Sequence, residues 1–318
     1  MKNTKGVTMI VSLNLKTNTN EHNVSGSLNH RAPFLKNQMK PSSVFNDLIK
    51  FEMTETDCIK LKEDTLGAVE KFGNWGYRLK NYKDDAGYLG TGLTYNPRHV
   101  DSTNDFKEQD IHQQVQGNYD PGAKGLNGQN PYSRLTGKDS VFAKLNTHYD
   151  TFSMCYRTPA SKHGYLGNFC DTFKRSMVRS SIRVINAAAT GHNMGKDIND
   201  KKMRAGVAWH TDESIFENLR INIPVETHPI FVLEQKGYPP QHLQANYAYS
   251  WNTSLLHRAY CTEKTEAPLY RTHIMLGFSC WWDFDEATET WTQNEFFGKK
   301  HPWDMLNDGE VIPGLKLV

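Results

Sequence analysis

Cysteine is scarce: Cys58, Cys155, Cys170, Cys261 and Cys280 are odd in number, and no two form a C-x-x-C pair. That pattern excludes a disulfide framework and a zinc knuckle as the device holding the fold. Long apolar runs are missing as well. None approaches the ~18 residues that cross a bilayer, the mean hydropathy is −0.67, and a membrane protein is excluded. An excess of one charge is also absent, since Lys and Arg total 37 against 35 Asp and Glu, a net charge of +2. Neither nucleic acid nor an anionic membrane is therefore expected as a partner. No G-x-S-x-G elbow occurs, and the run Gly87-Tyr-Leu-Gly-Thr-Gly92 lacks the Lys-Ser/Thr of a phosphate-binding loop. The apolar stretch Val7–Leu15 is short, interrupted by Thr, Ser and Asn, and has no small-residue cleavage site after it. It fails as a signal peptide, so a reducing cytoplasm is the expected setting. No internal repeat is present, which excludes solenoids and propellers.

What remains is a chain of 318 residues, enough for one large domain or two small ones. At that size about 75% of the unfolded surface can be buried, so no staple is needed. Residues 1–40 include a tract rich in Asn, Thr, Ser, His and Lys and read as a low-complexity N-terminal arm. A helical pattern begins near Ser42-Ser43, with Phe45, Leu48, Ile49 and Met53 at helix spacing, and a second helix spans Cys58 to Phe72. Residues 74–165 carry many Gly, Asn, Asp and Tyr and read as irregular, with short strands at Tyr77–Leu79 and Leu93–Tyr95. Residues 41–178 are thus expected to form a helical and irregular part that packs on the next segment.

The character changes at about Arg179. Seven alternating or β-branched segments follow: Ser181–Ala187, Gly206–Asp212, Leu219–Val225, Ile230–Glu234, Asn246–Trp251, Arg258–Cys261 and Tyr270–Phe278. That density of strands between turn residues predicts an antiparallel sandwich or small barrel over residues 179–280. Residues 281–318 form a Trp-rich extension holding Trp281, Trp282, Trp291 and Trp303, expected to cover an open edge or face of the sheet.

The segment that speaks of chemistry is Trp209-His210-Thr211-Asp212. Residues i and i+2 of a strand leave the same face about 6.6 Å apart, so His210 and Asp212 can reach one ion. His257 lies 45 residues after Asp212, far enough for the chain to return on an adjacent strand with a third ligand. Two imidazoles and one carboxylate leave coordination positions open, which suits a non-haem Fe(II) oxygenase. Alone, the H-x-D pair equally fits a surface turn beside a hydrogen-bonded core histidine. Two arginines add to it. Arg271 sits in the strand-like Leu269–Phe278 and Arg220 in Asn218–Pro224, each among apolar neighbours. Arg271, His273, Leu276 (after a one-residue shift) and Phe278 alternate imperfectly with apolar neighbours. A guanidinium turned inward needs an anion, and its planar fork suits a carboxylate; a structural ion pair is the alternative for each. His148, His163 and His192 have no partner at metal spacing and read as surface or hydrogen-bonded groups.

Three stretches resemble a known family in the right order. They are His210-Thr-Asp-Glu-Ser-Ile-Phe-Glu-Asn-Leu-Arg-Ile-Asn-Ile-Pro-Val225, Trp251-Asn252 ahead of His257, and Tyr270-Arg-Thr-His-Ile-Met-Leu276. Together they resemble the aspartyl/asparaginyl β-hydroxylase-like branch of the Fe(II)/2-oxoglutarate oxygenases. That branch carries H-x-[D/G], an "LRxHIPL"-type strand, an Asn-containing turn before the distal His, and a closing "R-x-H-L" strand. The resemblance covers about a third of the chain.

It implies a mainly β fold with flanking helices, the core being a double-stranded β-helix (jelly-roll or cupin-like) barrel. It also implies His210, Asp212 and His257 as catalytic iron ligands, and Arg271 as the clamp on the far carboxylate of 2-oxoglutarate. Arg220 and Asn222 would help hold the co-substrate, Asn222 standing where the branch often has a second His. The cofactors implied are Fe(II), 2-oxoglutarate and O₂, with ascorbate as reductant in vitro. The substrate would be a small molecule or peptide whose amino-acid side chain is hydroxylated at an unactivated carbon. The polar stretch Thr190–Arg204 reads as a loop over the pocket. Two other classes fit the same residues: a zinc or manganese hydrolase or isomerase on the same barrel, and a non-catalytic binding barrel. Arg271 favours the oxygenase over the hydrolase, which has no general need of it.

Overall fold

The computed structural model describes residues 48–72, 76–78, 88–95, 155–188, 206–210, 212, 215–216, 218–253, 255–288 and 290–318, with backbone alone at 76–78, 88–89, 207–208, 210 and 290–291. The expectations for the N-terminal arm, Phe45, the stretch Thr190–Arg204, His148 and His192 lie outside those residues.

The protein is mainly β with few helices. In chain order the first strands are β1 (Ile49–Met53), β2 (Gly76–Arg78), β3 (Tyr88–Gly92), β4 (Thr94–Tyr95), β5 (Tyr156–Arg157) and β6 (Ser176–Met177). Helices α1 (Cys58–Lys71) and α2 (Gly164–Asp171) fall among them. Then come β7 (Ser181–Asn186), β8 (Gly206–His210), β9 (Leu219–Glu226), β10 (Phe231–Gln235), β11 (Tyr247–Ser250), β12 (His257–Cys261) and β13 (Tyr270–Ser279). The tail adds the hairpin β14 (Trp282–Asp285) and β15 (Thr290–Gln293), helix α3 (Pro302–Asn307) and β16 (Leu315–Leu317). Each of the seven strands expected after Arg179 is present within one or two residues of its expected bounds.

These seven strands alternate between two antiparallel sheets. β7, β9, β11 and β13 lie in a nine-stranded sheet of order β16-β1-β11-β9-β13-β7-β3-β2, with β6 also on β13; β8, β10 and β12 form a three-stranded sheet of order β10-β12-β8. The two sheets remain separate, and among the described residues neither closes on itself. The large sheet draws strands from residues 41–178, 179–280 and 281–318 alike.

Two positions depart from the sequence reading. Ile49–Met53 is a strand, not part of a helix: Ile49, Phe51 and Met53 are buried while Lys50 and Glu52 are not. The apolar set at 45, 48, 49 and 53 fits a helix period, but 49, 51 and 53 fit period two, and β11 and β16 pair on either side. The glycine-containing run Tyr88–Gly92 is a strand too, held by β7 in register from Tyr88↔Ile185 to Gly92↔Ser181. Helix α1 does begin as read: the Asp57 carboxylate accepts from the N–H groups of Ile59 and Lys60 and so caps it.

The main core lies on one face of the large sheet. Ile221 and Ile223 of β9 and Ile274, Leu276 and Phe278 of β13 pack there with Leu61 of α1 and Leu166 of α2. Trp281, Trp282 and Trp303 join that core, each at most 4% exposed. The tail thus covers a sheet face, as its aromatic content suggested, while β16 pairs with β1 and is itself the edge strand. A second cluster, Leu233, Leu243, Tyr249 and Trp251, joins β10 of the small sheet to β11 of the large one. β9 is buried on both faces because it stands between these two layers.

Helix α3 should make the fold acid-sensitive through its capping histidine. His301 caps it, its Nδ1 accepting from the Trp303 N–H at 3.1 Å, and burial lowers the imidazole to about 4 against an opposing pull from Asp304. Burial and the Arg271 charge hold His273 well below the ordinary histidine value too. An unfolded histidine takes up its proton near 6.5, so the unfolded chain binds more protons between pH 6.5 and 4. The stability contributed is full above that window and is lost as pH falls through it, by on the order of 3 kcal/mol for His301. His301→Asn keeps a capping acceptor without the titration. Urea midpoints measured from pH 7 to 4 should therefore fall less steeply in the variant; an unchanged slope would place the acid sensitivity elsewhere.

Candidate functional site

The site sits where the end of β8, the turn before β12 and the end of β10 meet. The Asp212 N–H donates to the Thr253 carbonyl at 2.9 Å, which pins the segment after β8 to the turn leading into β12. His257 opens β12, 4% exposed. Its Nδ1 lies 2.8 Å from the Leu255 carbonyl, and the only role open to the ring nitrogen there is donor. That fixes the tautomer and turns the Nε2 lone pair outward. Nε2 lies 3.8 Å from Asp212 Oδ2. This is beyond hydrogen-bond reach, but two ligand atoms about 2.0–2.2 Å from one ion stand about 3–4 Å apart.

The backbone register puts His210 directly opposite His257. Opposite positions of an antiparallel ladder share a face; the His210 side chain itself lies outside the described residues. Among the described residues no group of three His, Cys, Asp or Glu side chains gathers as a metal site. What the structure brings together is therefore Asp212 and His257 side by side, with position 210 across the ladder.

The arginines lie on the face of the large sheet turned away from the main core. On β13, Arg271, His273 and Met275 alternate with Thr272, Ile274 and Leu276, so the one-residue shift expected from the sequence does not occur. The bulge between Thr272 and His273 affects only the pairing with β9. Leu276 and Phe278 belong to the opposite face, in the main core. Arg271 Nε donates to His273 Nε2 at 2.9 Å. Burial pushes the Cys261 thiol up to about 12, and the Arg271 charge pulls against it. Burial keeps His273 neutral, so it accepts from Arg271 instead of repelling it.

Arg220 and Asn222 follow the same inward alternation on β9, at 2% and 1% exposure. Arg220 donates from Nη1 to the Arg179 carbonyl at 3.1 Å. Neither amide atom of Asn222 has a hydrogen-bond partner among the described residues. His163 has no place in the site; its ring packs edge-on against Phe72. The five cysteines are free thiols.

One residue the sequence did not single out is Gln235. It is directly opposite His257 on β10 and 5% exposed, and its Oε1 has no partner among the described residues. The signal was the inward row Phe231, Leu233, Gln235, where a polar side chain takes a buried position. Trp251 also touches the site, its ring edge-on to that of His257 with centroids 5.8 Å apart. Searches against protein-family models and against curated proteins find no match to this chain. Among the described residues no helix is long and apolar enough to cross a membrane.

Proposed function

We propose that this chain is a non-haem Fe(II)- and 2-oxoglutarate-dependent dioxygenase, built on a double-stranded β-helix, that hydroxylates an unactivated carbon of an amino-acid or peptide side chain. The alternation of β7 to β13 between two facing sheets supports that fold, since this is how a jelly roll connects its strands. The observation that carries the chemistry is the Asp212–His257 pair at 3.8 Å, with the tautomer of His257 set by Leu255. The donor set fits a divalent first-row ion: one carboxylate, one imidazole with an outward lone pair, and a second histidine position across the ladder.

His210, Asp212 and His257 would hold the iron, which supplies the Lewis acidity and redox capacity for O₂ chemistry when bound. The chain's own groups do the rest. Leu255 keeps the His257 ring oriented through its carbonyl. Arg271, whose Nε and Nη2 both lie 2.9 Å from ring nitrogens of His273, would offer the outer N–H groups of its guanidinium to the distal carboxylate of 2-oxoglutarate. Arg220 and Asn222 contribute polar contacts on the neighbouring strand. The deciding assay is succinate release from 2-oxoglutarate with Fe(II), ascorbate and O₂, stimulated by members of an amino-acid and peptide panel. No release across that panel would refute the proposal.

Arg271→Lys keeps the charge but loses the two parallel N–H bonds. The apparent KM for 2-oxoglutarate should rise about tenfold or more, with the circular-dichroism melt little changed. An unchanged KM would remove Arg271 from the co-substrate site.

A further inference from the structure

We propose that Gln235 and Trp251 form an uncharged subsite beside the Asp212–His257 pair, binding a neutral amide or hydroxyl carried on an otherwise apolar group of the substrate. The inference rests on reading that pair as the reaction centre. Both residues flank His257: Gln235 across the ladder in register, and Trp251 by ring contact. Each is at least nine-tenths buried, yet Gln235 Oε1 and Trp251 Nε1 have no hydrogen-bond partner among the described residues. Buried polar atoms are nearly always paired, so an acceptor and a donor left bare on two residues that neighbour one imidazole mark where a ligand's polar group belongs.

The chemistry of that group follows from the surroundings. Gln235 also lines a depression with Leu48, Leu233, Tyr238, Pro239 and Gln241. None of these carries a formal charge, so a carboxylate or ammonium entering there would be desolvated without a counterion. An amide or hydroxyl instead donates to the carboxamide oxygen and accepts from the indole N–H. Arg220 and Arg271 stand on the other sheet, on β9 and β13, so the co-substrate's carboxylate and the neutral substrate group would be held from different sheets.

The test uses the full chain loaded with Zn(II), which binds without redox turnover, and two probes: N-acetyl-L-leucinamide and N-acetyl-L-glutamate. The Trp251 indole N–H resonance, assigned by its loss in Trp251→Phe, should shift saturably with the leucinamide and not with the glutamate. Gln235→Leu should weaken leucinamide binding about tenfold and raise Tm by about 2 °C, because it removes a buried acceptor paired only in the complex. Gln235→Met, closer in shape, repeats the measurement. Equal binding of the acidic probe, a resonance that leucinamide never moves, or a lowered Tm in both Gln235 variants would each overturn the proposal. Gln235-dependent probe binding in a protein that turns over no 2-oxoglutarate would sink the oxygenase and keep the subsite. Turnover with an unmoved Trp251 resonance would do the reverse.

Discussion

Replacing Asp212 with Ala should lower substrate-stimulated succinate formation at least about 100-fold, since losing even an outer partner of a metal ligand costs about 10–100-fold. Fe(II) affinity should fall with it. The variant is informative because its backbone is held independently: the Asp212 N–H bonds to the Thr253 carbonyl, and that bond survives removal of the carboxylate. The side chain is only 17% exposed and belongs to neither hydrophobic cluster, so the melt should change little while the chemistry goes. O₂ uptake is the readout that also separates the oxygenase from a zinc hydrolase. The wild-type chain with Fe(II) and 2-oxoglutarate should consume O₂, and the same chain with Zn(II) should not. O₂ uptake unchanged in Asp212→Ala would remove the carboxylate from the ligand set. Activity of the Zn(II) form, needing neither O₂ nor 2-oxoglutarate, would replace the oxygenase with the hydrolase.

The strands β7 to β13 were legible because each is a short alternating or β-branched run that turn residues bound. β9 shows how far this goes: Leu219, Ile221 and Ile223 alternate with Arg220 and Asn222, and the structure buries the first set in the main core and turns the second inward. The i, i+2 reading of His210 and Asp212 was a local one too, but β8 ends at His210 and Asp212 lies beyond it. What the sequence hid depends on partners far along the chain. Tyr88–Gly92 has glycine at two of its five positions, a poor strand by composition, and becomes one because β7, some ninety residues later, pairs with it. Ile49–Met53 was ambiguous between two periods until β11 and β16 flanked it. Gln235 belongs to no motif; only the register that sets it opposite His257 gives it meaning. The imperfect alternation around Arg271 came from treating Leu276 and Phe278 as neighbours of the arginine. The strand runs without interruption, and Met275 fills the inward place.

The fold and the site meet at Gly206, and Gly206→Ala should cost on the order of 3–5 kcal/mol, combining a strained dihedral with overpacking. Gly206 opens β8 with φ at +147°, a region that residues bearing a Cβ rarely enter. Space is lacking too. A Cβ at this position would stand 2.1 Å from the Ala259 carbonyl oxygen and 2.6 Å from the Tyr260 Cα, both backbone atoms of the facing strand. Neither can swing aside as a side-chain tip would, so β8 must part from β12. That ladder sets His210 opposite His257, and the chain runs from β8 directly into Asp212. The variant should therefore lose a large part of a stability that in most domains totals about 5–15 kcal/mol, and Fe(II) affinity should drop in the molecules still folded. Gly237→Ala is the control: φ there is +94°, but nothing lies within 4 Å of the added carbon, so only the dihedral cost of about 1 kcal/mol applies. Guanidinium titrations of both variants, with Fe(II) affinity measured beside them, give the comparison. Equal losses in the two would mean that the contact between β8 and β12 is looser than the structure places it, and that the pairing does not position the ligands.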